Sequence, residues 1–241
     1  KQKRGMGKIG ALLTVTKETI PKYKQIIDTY IDLGLDSIFL RWLNPYGFAA
    51  SDLETLAYDN AEWIDFFRKS LDYIIEINKS GKMFREQITS VYLMKIFNEQ
   101  DPGFMDIRSP SGIAIGGVAY NYNGKIYASD ESRMLSRMGI EDFCMTDGQG
   151  TGKENYTAMM TSDITKVAIQ SSCLDGLPWY NEHVYKPYLG VDIIHNFKVY
   201  GNIYTPLAKD EKIKLQIQII DVIFEKLQDP EVKKIFMSWI G

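Results

Sequence analysis

Apolar residues follow one pattern before residue 100 and another after it. Ile9-Gly10-Ala11-Leu12-Leu13-Thr14-Val15-Thr16 is a short apolar run with β-branched members that stops where charges begin, which predicts a buried strand. Ile20, Tyr23, Ile26, Ile27, Tyr30 and Ile31 then recur at helical spacing, with Pro21 suited to a first turn and Gly34 to a C-terminal stop. Ser37-Ile38-Phe39-Leu40-Arg41-Trp42-Leu43 predicts a second buried strand, broken by Asn44-Pro45-Tyr46-Gly47. Strand, helix, strand at this spacing is a βαβ unit and implies a parallel sheet. Two further helices are predicted. One has Trp63, Phe66, Phe67, Leu71, Ile74 and Ile75 on its apolar face, the other Phe84, Ile88, Val91, Tyr92 and Ile96.

The second pattern starts at Asp101-Pro102-Gly103. Val118–Tyr122 and Lys125–Ser129 flank Asn123-Gly124, a hairpin signal in which both central residues are expected at positive φ. A short helix over Asp130–Met138, a Gly-rich loop expected to be mobile and a helical piece over Ile164–Ile169 follow. Leu177–Tyr204 is irregular and aromatic. A long helix is predicted with Ile213, Ile217, Ile220, Phe224 and Leu227 on one face, and Pro230 admits a last short helix. The expected division is an α/β part, residues 1–100, and an α+β part, residues 101–241.

Composition narrows the function. The chain has 241 residues, 45% hydrophobic and 24% charged, enough to bury a core. A net charge of −3 gives no general attraction for nucleic acid or an anionic membrane, and neither is expected as a partner. The basic start Lys1-Gln2-Lys3-Arg4 reads as a solvated end or a cut point inside a longer chain. No run approaches the length of a membrane span, no signal peptide is recognisable, and two cysteines do not make a disulfide framework, so a cytoplasmic setting is expected.

Candidate chemistry is sparse. Gly148-Gln149-Gly150-Thr151-Gly152-Lys153 resembles a phosphate loop at first sight. Asp147 and Glu154, however, occupy the positions that need glycine and a hydroxyl. Cys144, Cys173, His183 and His195 are the soft ligands, spaced 29, 10 and 12 apart, unlike the close pairs of a structural zinc site. Two cysteines cannot hold a four-cysteine iron–sulfur cluster. Arg41 in an apolar strand needs a partner, either a salt bridge at the sheet end or an anion in the crevice at the carboxyl ends of the strands. Thr14 and Thr16 would face the same crevice. Ser129-Asp130-Glu131-Ser132-Arg133 reads as a solvated helix start.

Taken in order, several segments resemble one family. Gly10–Thr16, Ile38–Arg41 and Leu43-Asn44-Pro45-Tyr46-Gly47-Phe48-Ala49 resemble the later strands of a radical S-adenosylmethionine barrel. Ser109-Pro110-Ser111-Gly112, the hairpin, Ser129–Leu135, Ser172–Pro178 and Tyr185-Lys186-Pro187-Tyr188 resemble its SPASM-type extension, most nearly in the B-type maturase of the His-Xaa-Ser peptide-modification system. The resemblance implies an α/β fold: a partial (β/α) barrel half with a C-terminal α+β SPASM-like extension containing a β-hairpin. It also implies S-adenosylmethionine on a [4Fe–4S] cluster, and a peptide substrate. It places Arg41, Thr14, Thr16 and Asn44 near the S-adenosylmethionine site.

The chain departs from that family in two ways. The CxxxCxxC loop of the first barrel strand is missing, so the chain is expected to begin midway through the barrel. Tyr180, His183, Leu189 and Ile213 stand where the family has cysteines; only Cys173 matches one. The expectation is therefore a maturase portion that holds no cluster alone and works with an N-terminal half carrying CxxxCxxC or with a second subunit. A degenerate peptide-binding or interaction module on the same scaffold is the other reading, and an unrelated α/β protein a third.

Overall fold

The computed structural model describes residues 10–98 and 101–240. The basic start and Ile9 of the first expected strand lie outside the described residues. The chain divides into two compact units, residues 1–43, 52–102 and 218–241, and residues 44–51 and 103–217.

The first unit opens with β1 (Ala11–Thr14), α1 (Tyr23–Asp32) and β2 (Ser37–Arg41). The strands pair in parallel, Ala11 opposite Ile38 through Thr14 opposite Arg41, as the βαβ pattern requires. Pro21 lies in a 3₁₀ turn over Ile20–Lys22 that leads into α1, and Gly34 follows the helix at φ +80°. The second strand ends sooner than its apolar run, at Arg41, and Trp42 turns into the core edge-on against Trp63 at 6.2 Å. After α2 (Leu53–Leu56), α3 (Asn60–Lys79) starts at an Asp59/Glu62 capping box. It buries Trp63, Phe66, Phe67, Leu71, Ile74 and Ile75, the face its periodicity defines.

A helix beginning near Phe84 was the sequence expectation; the chain first forms β3 (Arg85–Glu86), parallel to β2. Then α4 (Gln87–Phe97) begins, because the Glu86 carboxylate caps it. Ile88, Tyr92 and Leu93 become its buried apolar residues, while Val91 and Ile96 stay half-buried. The sheet order is β1-β2-β3.

The second unit contains the hairpin. Ala119–Tyr120 (β4) pairs antiparallel with Ile126–Tyr127 (β5), and Cys144–Thr146 (β6) adds a third strand the sequence did not suggest. The turn is not the one expected. Gly124 alone has positive φ (+86°), and its N–H donates to the Asn121 carbonyl at 3.0 Å. A glycine at the end of a turn replaces two positive-φ central residues.

Between the second and third strands lies α5 (Asp130–Ser136), capped by Ser129 and Ser132. Both serines are buried, so the expected solvated helix start is a packed one. Next come α6 (Gly152–Thr161), not foreseen, and α7 (Asp163–Ser172), longer than its periodic piece. The segment read as irregular holds α8 (Pro178–Asn181) and α9 (Ile193–Tyr200); Asp192 caps the latter and Gly201 ends it at φ +69°.

The first residues of α10 (Glu211–Lys226) belong to the second unit and the last to the first, which also holds α11 (Pro230–Ser238). Ile213, Leu215, Ile219, Ile220, Val222 and Ile223 are buried, a broader set than the single face expected. In the first unit Arg68 pairs with Glu225 at 2.6 Å and Lys226 with Asp72 at 2.5 Å. These ion pairs are surface-exposed on at least one side and contribute little individually.

Candidate functional site

In the first unit, β1 and β2 run side by side and end on Thr14 and Arg41, which are register partners. Alternation puts Leu12, Thr14, Phe39 and Arg41 on one sheet face. Ile38 and Leu40, on the other, are buried. Thr14 is exposed and Arg41 half-buried. Thr16 lies beyond the strand in a closed turn, where its N–H donates to Thr19 Oγ1 at 2.8 Å and its carbonyl accepts from the same hydroxyl at 2.8 Å. The structure therefore sets Thr14 and Arg41 side by side and puts Thr16 in the turn that follows. Asn44 falls in the second unit, with its Oδ1 shielded and without a hydrogen-bond partner.

Two bonds hold the segment around α2 at these strand ends. Lys17 N–H donates to the Leu56 carbonyl at 3.0 Å, and Leu43 N–H donates to the Tyr58 hydroxyl at 2.7 Å. Burial raises the Tyr58 phenol above its usual range, so it stays neutral.

Glu86, absent from the sequence expectation, is a second shifted titratable group of this unit. It has no exposed surface. Oε1 accepts from Leu40 N–H at 3.2 Å and Ile88 N–H at 3.1 Å; Oε2 accepts from Thr89 N–H at 2.6 Å and Thr89 Oγ1 at 2.7 Å. One carboxyl group thus ties β2 to the start of α4. Burial raises its pKa to about 7, against those four donors, which lower it. A Glu directly before Gln-Ile-Thr was the available cap signal.

The second unit holds the positions where cysteines are implied. Tyr180 is fully buried, and its hydroxyl donates to the Thr205 carbonyl at 2.9 Å, close to Asp210 Oδ2 at 3.4 Å. Asp210 also accepts from Asn196 Nδ2 and from Ile213 N–H, both at 3.0 Å. Leu189 and Ile213 are fully buried core residues. The Nδ1 atom of His183 accepts from Tyr185 N–H at 3.1 Å. Cys144 and Cys173 are half-buried and free; Cys144 lies on β6 and Cys173 ends α7. Among the described residues, no three His, Cys, Asp or Glu gather where a metal could be held. This donor set does not fit a cluster. The Gly-rich run is also committed to local structure: Thr151 caps α6, and Glu154 Oε2 accepts from Thr151 N–H at 2.8 Å.

No protein-family model and no curated protein sequence matches the chain. The fold does have solved counterparts. One is native anSMEcpe with bound AdoMet, at TM-score 0.62 and 11% identity, the match covering 94% of this chain and 57% of that one. The same protein with AdoMet and the Cp18Cys peptide matches at TM-score 0.60 and 11% identity, and with AdoMet and the Kp18Cys peptide at 0.58 and 10%; coverage is again 94% and 57%. At these identities the likeness is one of fold, and the chain spans little more than half the length of those proteins.

Proposed function

We propose that this chain is a portion of a radical S-adenosylmethionine-type peptide maturase. It supplies strand ends of the cofactor pocket and a peptide-docking surface, while another polypeptide or chain segment supplies the catalytic cluster. The main support is the fold match over 94% of the chain to a maturase solved with AdoMet and, in two structures, with peptide. In this reading the parallel strands are part of a (β/α) barrel and the hairpin unit is the SPASM-like extension. The Arg41 guanidinium beside Thr14 meets an anionic group of the cofactor, with Thr16 in the turn that follows; for Asn44, in the second unit, a role at the cofactor rests on the resemblance alone. The narrower His-Xaa-Ser assignment rests on the sequence motifs alone.

The edge of the first sheet also supports this reading. Strands of parallel sheets are normally covered on both faces. Among the described strands, β1 is at the edge, and Leu12 on it is 59% exposed. Its other face looks onto a groove of about 320 Å³ lined by Leu13, Ile26 and Tyr30 among others. A further strand and helix of the same fold would cover both. The test pairs this chain with a co-encoded CxxxCxxC polypeptide under anaerobic conditions and measures 5′-deoxyadenosine. The expected result is cleavage that weakens when Arg41→Ala raises the cofactor Kd. Absence of cleavage with every co-encoded partner overturns the reading.

Tyr180, Leu189 and Ile213, packed where thiolates are implied, favour a second reading: a non-catalytic peptide-binding module. In that case peptide binding persists in the same assembly without any 5′-deoxyadenosine. Docking would use β4, an edge of its sheet that bears the 70% exposed Tyr120. Among the described residues no helix is long and apolar enough to cross a membrane.

A further inference from the structure

Lys212 sits in the first turn of α10, where a lysine ordinarily reaches solvent. Instead its side chain is 7% exposed and its ammonium pairs with Asp192 Oδ2, itself 12% exposed. Asp192 is committed elsewhere as well, since its Oδ1 caps α9 by accepting from Ile194 N–H at 3.1 Å and His195 N–H at 2.9 Å. Beside this pair lies a cavity of about 10 Å³, room for one water, onto which Asp106, Ser111, Glu131 and Asp192 open. Ser111 is 2% exposed, and its Oγ has no hydrogen-bond partner. Asp106 and Glu131 both act on the Lys212 charge and, with Asp192, keep it protonated against the desolvation that would discharge it.

We propose that Asp106, Ser111, Glu131 and Asp192 form a cation site inside the second unit, and that the Lys212 ammonium, held on Asp192 beside the water-sized space, serves as its cation from within the chain. The ammonium then joins four segments remote in sequence: the turn at Met105–Ile107, the start of α5, the cap of α9 and the start of α10. Bound metals staple small domains in the same way. The geometry favours an ammonium over a metal. Three donors at hydrogen-bond length suit oxygens spread around a water-sized space. A divalent ion needs a tight shell, and among the described residues no such group is present. Asp192, 12% exposed, is strongly destabilising once its cation is removed, because a largely buried charge then loses its partner.

The test uses the full chain. Lys212→Ala removes the equivalent of n-propylammonium and leaves the carboxylates. We expect its melting temperature to fall by roughly 6–20 °C. Millimolar n-propylammonium chloride should recover a large part of that fall. Tetramethylammonium, sodium or calcium chloride at the same ionic strength should not. Lys212→Arg should stay close to the parent, and Lys212→Met should fall with the alanine variant. If Lys212→Ala does not fold, the refolding yield from denaturant in each salt is the readout, with n-propylammonium alone expected to raise it. Three outcomes overturn the site: a methionine variant as stable as the arginine one, no rescue by any cation, or rescue as strong by calcium or tetramethylammonium.

Discussion

Glu86 is buried and His195 half-buried, in different units, and their pKa values move in opposite directions from their ordinary ranges. The folded-state pKa of Glu86 is about 7, above its ordinary 4.5, so the folded chain holds that proton more tightly than the unfolded chain. Its contribution to stability is fullest below pH 4.5 and declines as the pH rises through 7. The whole span corresponds to roughly 3 kcal/mol. Burial, then the Lys212 charge, lowers the pKa of His195 to about 4, so its contribution is present above pH 6.5 and lost as the pH falls from there to about 4. Segment-resolved hydrogen exchange should therefore show β2 and the start of α4 loosening from pH 5 to pH 8, and α9 loosening from pH 7 to pH 4.5. Glu86→Gln should abolish the first trend and leave the second intact. Unchanged protection of α4 in the parent across that range would refute the assignment to Glu86. Glu86 did not stand out in the sequence, and His195 did so only as a soft ligand. A single Glu before a helix looks like an ordinary cap, and only the packing of β2, β3 and α4 shows that it has no water.

The helix α3 and the β1-α1-β2 unit were legible because one buried face imposes one period on the sequence. The long helix was harder to read. Ile213, Leu215, Ile217 and Ile219 alternate with polar residues, a strand-like spacing that on a helix spreads apolar groups around the axis. Lys212 and Gln216 are therefore drawn into the core, where Gln216 clamps the backbone of Gly190 at 2.9 and 3.0 Å. The strand β6 was missed because three residues carry too little period. Its approach to the hairpin depends on glycines. A Cβ on Gly148 would lie 1.9 Å from the Gly124 carbonyl oxygen, and the residue has φ +74°. Gly148→Ala should destabilise the second unit by several degrees in melting temperature, whereas Gly152→Ala, with nothing nearby, should be close to neutral. Equal melting of the two variants would contradict the close approach.

Of the expected site, the pairing of Thr14 with Arg41 could be read because parallel strands bring their carboxyl ends together. The position of Asn44 could not, since a chain leaving a strand end can join either unit. The proposed role of the whole chain depends on the β1 edge, which leads to a prediction separable from folding. Leu12 is 59% exposed on that strand, so replacing it removes little burial. A lysine there is a standard obstacle to strand addition, since the incoming strand must desolvate the ammonium. Leu12→Lys should leave the melting temperature of the chain alone within about 2 °C, the usual range for an exposed position. The same variant should lose association with a co-encoded CxxxCxxC polypeptide, read by sedimentation velocity of the mixture, and with it 5′-deoxyadenosine formation. Tyr122, 88% exposed in the second unit, provides the control: Tyr122→Lys should leave that association unchanged. If Leu12→Lys associates as well as the parent, β1 is not the joining edge.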